Sequence, residues 1–556
     1  MIRMLLCSVL VLLSPLSAAA REDAADLLLR QGVFYPVEPP EPVAGTLAVR
    51  DGRIVYLGPD DGADSLVGPD TEVIDLAGRA VIPGLIDAHS HLAGLGDALV
   101  QVDLAGVDTY EEVIERIARA AAQSTPGSWI QGRGWDQNRW PGKQFPHHAA
   151  LSAAVPDHPV WMRRIDGHAA LINQRAIEVL EIPADIADPS GGLFLRDAEG
   201  GLTGVLIDNA MAPFRNRLDR ATGAELERRI QLAAETCVAL GLTTVTDLGV
   251  GDEVIAAYRA LARRSELPLR ASLFLGDDAA LLDRWFEAGP LIDPEARVSV
   301  RAIKLYADGA LGSRGAALIE PYSDDAANLG LLTSTSAHLE TVSRRALERG
   351  FQVGVHAIGD RANLVVLDAF ERAFGGPRPA ARFRIEHVQV ARPADLERMA
   401  RLGVIASMQP THATSDMPWA GDRVGDQRLV GAYAWRKVLD AGGRLAFGSD
   451  FPVEKPDPRH GLYAAVTRMD LTGKPVGGWL PGERLTRQEA LRAFTLDAAY
   501  SIFLDHEVGS LAVGKRADLV VFAGDPMSVA EAELARLPID LTLVDGAVVY
   551  RRGGEP

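Results

Sequence analysis

Apolar residues return along this chain in two rhythms. Short runs rich in Val, Ile, Leu and Phe, bounded by Gly, Pro or Asp, alternate with longer stretches whose apolar positions recur every three or four residues. The first rhythm is that of buried strands and the second that of amphipathic helices. The strand-like runs fall at 80–91, 243–248, 270–275, 300–307, 352–357, 382–388, 404–408 and 444–449. Helical patterns separate most of them. One, over 224–240, places Leu226, Ile230, Ala233, Ala234 and Cys237 on one side and stops at Gly241; another, over 341–347, stops at Gly350. Eight strand-and-helix units predict an α/β fold, a (β/α)8 TIM barrel of parallel strands.

The chain outside that alternation is shorter in rhythm. Between 25 and 81, and again over 509–522 and 541–550, brief alternating runs are joined by glycine-rich turns, with Asp51-Gly52 a hairpin signal. Neither end is long enough to bury a sheet face alone, so 21–84 and 505–556 are expected to combine into one small β-sandwich, leaving 85–504 to the barrel. A segment at about 93–222 is too long for an ordinary connection after the first barrel strand. It is rich in Trp, Gly, Arg and His, and insertions at that point emerge on the catalytic face, so it is predicted to roof the active site.

Composition narrows the picture. Of 556 residues, 24% are charged and 47% hydrophobic, which is globular material, and a net charge of −18 argues against nucleic acid as a partner. The N-terminus carries Arg3, an apolar run over 4–13 and Ala18-Ala19-Ala20, the signature of a signal peptide over 1–20. The run is short for a bilayer span, so a periplasmic or secreted protein with no stable membrane insertion after cleavage is expected. Too few residues precede Cys7 for lipid attachment there to be the preferred reading. Cys237 then remains without a disulfide partner and reads as a buried, inert thiol.

Candidate chemistry gathers at strand ends. His89 and His91, one residue apart at the end of the first strand, point the same way, and two imidazoles on one face can grip a metal. In a barrel of this kind the C-terminal strand ends share one pocket. The fourth strand supplies Lys304, the fifth His356, the sixth His387 and the eighth Asp450, so six polar groups converge.

This pattern resembles the metal-dependent amidohydrolase superfamily. The run Lys304-Leu-Tyr-Ala-Asp-Gly-Ala-Leu-Gly-Ser-Arg314, with the long insertion and the closing Gly-Lys-Arg-Ala-Asp-Leu-Val-Val phrase over 514–521, is similar to its family 3 branch, which includes N-substituted formamide deformylases. The resemblance implies two divalent metal ions: one held by His89, His91 and Asp450, a second by His356 and His387, with an N6-carboxylated Lys304 between them. Divalent cations disfavour an ammonium beside them, whereas a neutral lysine can take up carbon dioxide as a carbamate. Zinc is the expected metal, and such ligands also accept manganese, iron or cobalt.

The implied reaction is hydrolysis of a non-peptide C–N bond in a small molecule, a linear amide or N-substituted formamide. A metal-activated hydroxide attacks and Asp450 acts as the catalytic proton shuttle. The same machinery suits a lactone, ester or cyclic amide, and a non-catalytic binding or regulatory protein on the same scaffold is the reading from another class. Trp135, Asp136, His168 and His412 are the candidate substrate-binding residues. Asp308 and Arg314 read as a structural pair, His147 and His148 as exposed loop residues, and the surface allows a homodimer.

Overall fold

The computed structural model describes residues 24–215, 217 and 221–554. The signal-peptide reading and Cys7 lie outside the described residues. No helix among the described residues is long and apolar enough to cross a membrane.

Strands β1 (Leu27–Phe34), β2 (Val43–Arg50), β3 (Arg53–Gly58), β4 (Glu72–Asp75) and β5 (Ala80–Pro83) open the chain. Asp51 and Gly52 both take left-handed φ values, 51° and 72°, as the tight β2–β3 hairpin requires. The next strand, β6 (Leu85–Asp87), belongs to a different sheet. The sequence had suggested one strand over 80–91, but the chain changes sheets at Gly84. Val81 on β5 pairs with Val521, whereas Leu85 on β6 pairs with Leu242. A Cβ on Gly84 would lie 2.1 Å from the Thr243 hydroxyl, so the crossing needs glycine.

The insertion has strands β7 (Val102–Asp103), β8 (Ile130–Trp135), β9 (Val160–Arg164), β10 (Ala169–Ile172), β11 (Gly192–Arg196) and β12 (Leu202–Asp208), ordered β11-β12-β10-β9-β8-β7 in one sheet. An amphipathic helix, Tyr110–Ala121, capped by Thr109, buries Val113 and Ile117 in a core that also holds Trp135, Trp140, Met162 and Leu171.

The remaining barrel strands follow: β13 (Leu242–Val250), β14 (Arg270–Leu275), β15 (Val298–Tyr306), β16 (Gln352–Ala357), β17 (Arg384–His387), β18 (Ile405–Met408) and β19 (Leu445–Phe447). With β6 they form an eight-stranded parallel sheet in chain order. Its two edges meet: the Ala88 N–H donates to Phe447 O (3.0 Å) and the Asp450 N–H to His89 O (2.7 Å). This is the (β/α)8 architecture the alternation predicted. Helix Gly223–Ala239 buries the predicted apolar side, and Ser336–Arg349 ends at Gly350 in the left-handed conformation. Cys237 is buried, and burial pushes its thiol pKa up.

Strands β20 (Leu519–Phe522), β21 (Ile539–Val544) and β22 (Ala547–Arg551) return to the first sheet, which runs β22-β21-β20-β5-β1-β2-β3 with β4 beside β1. Leu27, Leu29, Leu47, Val49 and Val81 from one end share a core with Leu519, Val521, Leu541 and Leu543 from the other. Arg270, at the start of β14, ties this sheet to the barrel: its guanidinium grips both oxygens of Asp518 (2.7 and 2.8 Å) with neither side chain more than 1% exposed.

Candidate metal centre

The seam between β6 and β19 sets the centre. His89 and His91 follow β6 directly, and Asp450 follows β19 by three residues, its backbone N–H fixed to His89 O. Asp450 Oδ1 lies 3.4 Å from His89 Nε2 and 3.2 Å from His91 Nε2, and Oδ2 lies 3.7 Å from His412 Nε2. His387, at the end of β17, brings its ring to 4.6 Å from those of His89 and His356. Lys304, on β15, is 1% exposed, with Nζ 4.9 Å from the Tyr306 ring. The predicted donors from strands one, five, six and eight therefore meet at one end of the barrel. Asp450 and His387 hold φ values of 62° and 78°, left-handed conformations that are costly for residues with a Cβ and that cluster at functional sites.

Hydrogen bonds behind the rings decide which nitrogen faces inward. Nδ1 of His89 donates to Glu386 Oε2 (2.7 Å), that of His91 to Leu248 O (3.0 Å) and that of His387 to Gln409 Oε1 (2.8 Å). Each of these rings thus commits Nδ1 to its support and leaves Nε2 for the centre, the nitrogen a metal ligand needs. His89 Nε2 is buried with no hydrogen-bond partner among the described residues. His356 is turned the other way: its Nε2 lies 3.3 Å from Gly309 O and 3.4 Å from Asp308 Oδ1, which leaves Nδ1 for the centre. His412 differs again. Gln389 Nε2 donates to its Nδ1 (3.0 Å), so the proton sits on the buried, unpartnered Nε2, and His412 is a donor rather than a ligand.

The electrostatics agree. Burial pushes His356 and His387 well below the usual imidazole range, and the neighbouring His168 and Lys304, or His356 and His89, add to it; both rings are neutral. Burial also brings Lys304 down to about 8, against the pull of Glu386 and Asp450, so its neutral amine is accessible near neutrality. Burial would raise Asp450, but His89 and His91 beside its carboxylate hold it well below the ordinary carboxylate range. The neutral rings of His356 and His387, one ionised carboxylate and the orphaned inward nitrogen of His89 form a donor set that fits a divalent cation. Two groups, His89–His91–Asp450 and His387–His412–Asp450, have ligand atoms within 4.8 Å of one another.

The insertion contributes a second dyad. His168 Nδ1 lies 2.6 Å from Asp208 Oδ1, and the His168 ring is 5.0 Å from that of His356. His168 and His412 therefore stand beside the centre, whereas Trp135 does not. It is wholly buried in the insertion's own core, its indole N–H on Met162 O (2.8 Å), because a bulge at Gly134 (φ 111°) breaks the alternation along β8 and turns it to the opposite face from Arg133. Asp136 is engaged by Arg164 at 2.5 Å and caps a short turn through the Asn138 N–H, so it anchors the roof rather than facing substrate. The expected Asp308–Arg314 pair is not formed. Arg314 binds Asp324 (3.0 Å), while Asp308 accepts the backbone N–H groups of Ala317, Ile358 and Gly359 and backs His356. His147 is exposed, whereas His148 is half-buried, with Nδ1 against Ser152 Oγ (2.9 Å).

Sequence reasoning missed Glu386, Gln409, Gln389, Asp208 and Arg133. Glu386 left a signal: Arg384 and Glu386, two apart on one strand face, are a charged pair inside a buried run.

With barrel, insertion and centre in view, the sequence profile of the amidohydrolase family matches residues 72–550, and the chain belongs to that family. It is 34% identical over 514 residues to Protein LONG AFTER FAR-RED 3 of Arabidopsis thaliana, covering 90% of this chain and 87% of that one. It is 28% identical over 549 residues to the N-substituted formamide deformylase of Arthrobacter pascens, covering 95% and 99%. Among solved structures, an uncharacterized metal-dependent hydrolase from Pyrococcus furiosus superimposes with a TM-score of 0.71 at 31% identity, covering 90% of this chain and all of that one. The protein is thus a hydrolase of the amidohydrolase family, acting on a small molecule.

Proposed function

We propose that the protein is a metal-dependent amidohydrolase that cleaves a non-peptide C–N bond, that of a linear amide or N-substituted formamide. The observation that carries this reading is Asp450, an ionised carboxylate set 3.2–3.7 Å from the Nε2 atoms of three histidines on a strained backbone. His89, His91 and Asp450 would hold one metal and His356 and His387 a second, with carboxylated Lys304 between them. When bound, the metals supply water of lowered pKa and a positive centre that polarises the substrate carbonyl. Asp450 takes the proton of the attacking water and passes it to the departing nitrogen. His412, with its proton on Nε2 beside Asp450, donates a hydrogen bond to the substrate oxygen. The insertion closes over the strand ends, excludes bulk water and shapes the pocket. Similarity to a formamide deformylase over nearly both whole chains supports the choice of bond.

The test is a panel of N-formyl and N-acyl amines, esters and lactones offered to protein reconstituted with zinc and bicarbonate. Amides are expected to be hydrolysed, and Asp450→Asn to lower kcat on the best of them by about 100- to 10,000-fold. Full turnover by Asp450→Asn would remove the proton shuttle, and turnover of esters or lactones alone would reassign the bond.

A further inference from the structure

Seven arginines are buried in the described residues: Arg133, Arg164, Arg270, Arg384, Arg423, Arg468 and Arg516. Five grip a carboxylate, from Asp136 or Asp166, Asp518, Glu386, Asp324 and Glu507 respectively for Arg164, Arg270, Arg384, Arg423 and Arg516. Arg468 lies against the rings of Trp435 and Trp479 instead. Arg133 has neither, although it is only 9% exposed. Its Nε–H donates to Pro452 O (3.4 Å) and its Nη2 to Ile165 O (3.1 Å), two neutral carbonyls. A buried guanidinium without a counter-charge is costly, which makes this exception informative.

Its location gives the exception a purpose. Pro452 stands two residues after Asp450, and Ile165 three residues before His168, so the guanidinium is clamped between the proton-shuttle loop and the loop that delivers the insertion's histidine. Asp450 and Asp166 act on it through space, but neither contacts it. Nη1 lies near Gly167, where a Cβ would come 3.7 Å from it and 2.8 Å from the Arg163 guanidinium, and neither of the two carbonyl bonds uses Nη1. With Nε and Nη2 fixed by the carbonyls, the edge that remains offers N–H groups in the planar fork that matches a carboxylate.

We propose that Arg133 is a specificity residue whose free edge receives a carboxylate of the substrate, so that the amide taken by this site is acidic. The inference deepens the amidohydrolase reading and rests on it for the scissile bond. The two carbonyls hold the guanidinium in place, so binding the anion costs little ordering and replaces the missing counter-charge.

The experiment compares N-formyl-glycine, N-formyl-leucine and N-formyl-phenylalanine with the formamides that lack only their carboxylate. Binding to the metal-free wild-type protein, which cannot turn the compounds over, is measured by calorimetry, and turnover by the metal-loaded wild-type enzyme is measured separately. The acids are expected to bind about 10- to 100-fold more tightly than their neutral partners. Arg133→Met should abolish that preference, weakening the acids far more than the neutral compounds, and Arg133→Lys should recover part of it. Equal binding of acid and neutral members, survival of the preference in Arg133→Met, or failure of every compound to bind would overturn the proposal. So would an Arg133→Met protein that weakens all members alike, since that marks a structural role. An Arg133-dependent preference without hydrolysis would instead sink the hydrolase reading and leave this one standing, whereas hydrolysis confined to the neutral members would do the reverse.

Discussion

At His89 the two ring nitrogens have separate tasks: Nε2 faces Asp450 and Nδ1 is committed to Glu386. Glu386 is itself gripped at both oxygens by Arg384 (2.8 and 2.9 Å), and Arg384 reaches Ala88 O (2.8 Å), so the support returns to the residue before His89. Supports of this kind fix ring orientation and raise ligand basicity. Glu386→Gln, which preserves shape but removes the charge behind His89, is expected to weaken metal binding by about 10- to 100-fold, read by competition with a chelator. An unchanged affinity would mean that the ring is oriented by packing alone. The donors themselves were legible because strand ends in a barrel share a pocket, so position along the chain stood for position in space. Glu386 was not, because its partner lies 297 residues away and no local pattern links the two.

At the level of strands, the eight barrel runs were readable as apolar bursts between helical stretches, and β14 and β16 fell where they were expected. The break between β5 and β6 was hidden because every residue from 80 to 90 is buried, so no change of burial marks the passage from one sheet to the other. The roof was hard to read for a related reason. Tryptophans of a self-contained core and those of a pocket lining look alike in a glycine-rich stretch, and only the bulge at Gly134 separates the face of Trp135 from that of Arg133. Register also makes a prediction at the seam. On the loop after β19, a Cβ at Gly448 would come 2.5 Å from both Asp87 Oδ1 and the His89 nitrogen. Gly448→Ala is therefore expected to cost about 1–3 kcal/mol in denaturant melts and to lower bound metal per chain, since the strain falls on the backbone that carries His89. A fully metal-loaded, equally stable Gly448→Ala protein would show that the seam yields more freely than its packing suggests.

For the molecule as a whole, the buried Arg270–Asp518 pair joins the barrel to the sheet made from both chain ends, far from the metal centre. Asp518→Asn leaves the buried Arg270 guanidinium with Asp545 as its one carboxylate and is expected to lower unfolding stability by about 1–3 kcal/mol. The folded, metal-loaded variant should keep its kcat; a parallel loss of turnover would show that the sheet reaches the chemistry. The way the two ends meet also governs when the protein can be finished. Tyr35 hydrogen-bonds Asp525 across 490 positions, and β5 has β20 as its neighbour. As the chain leaves the ribosome, the first strands must wait with one edge bare until the last few dozen residues arrive. That bare edge is the kind that recruits stray strands from other molecules. Chains cut short near the C-terminus would therefore carry a complete set of metal donors and still be prone to clump, and the final strands act as the seal on a newly made copy.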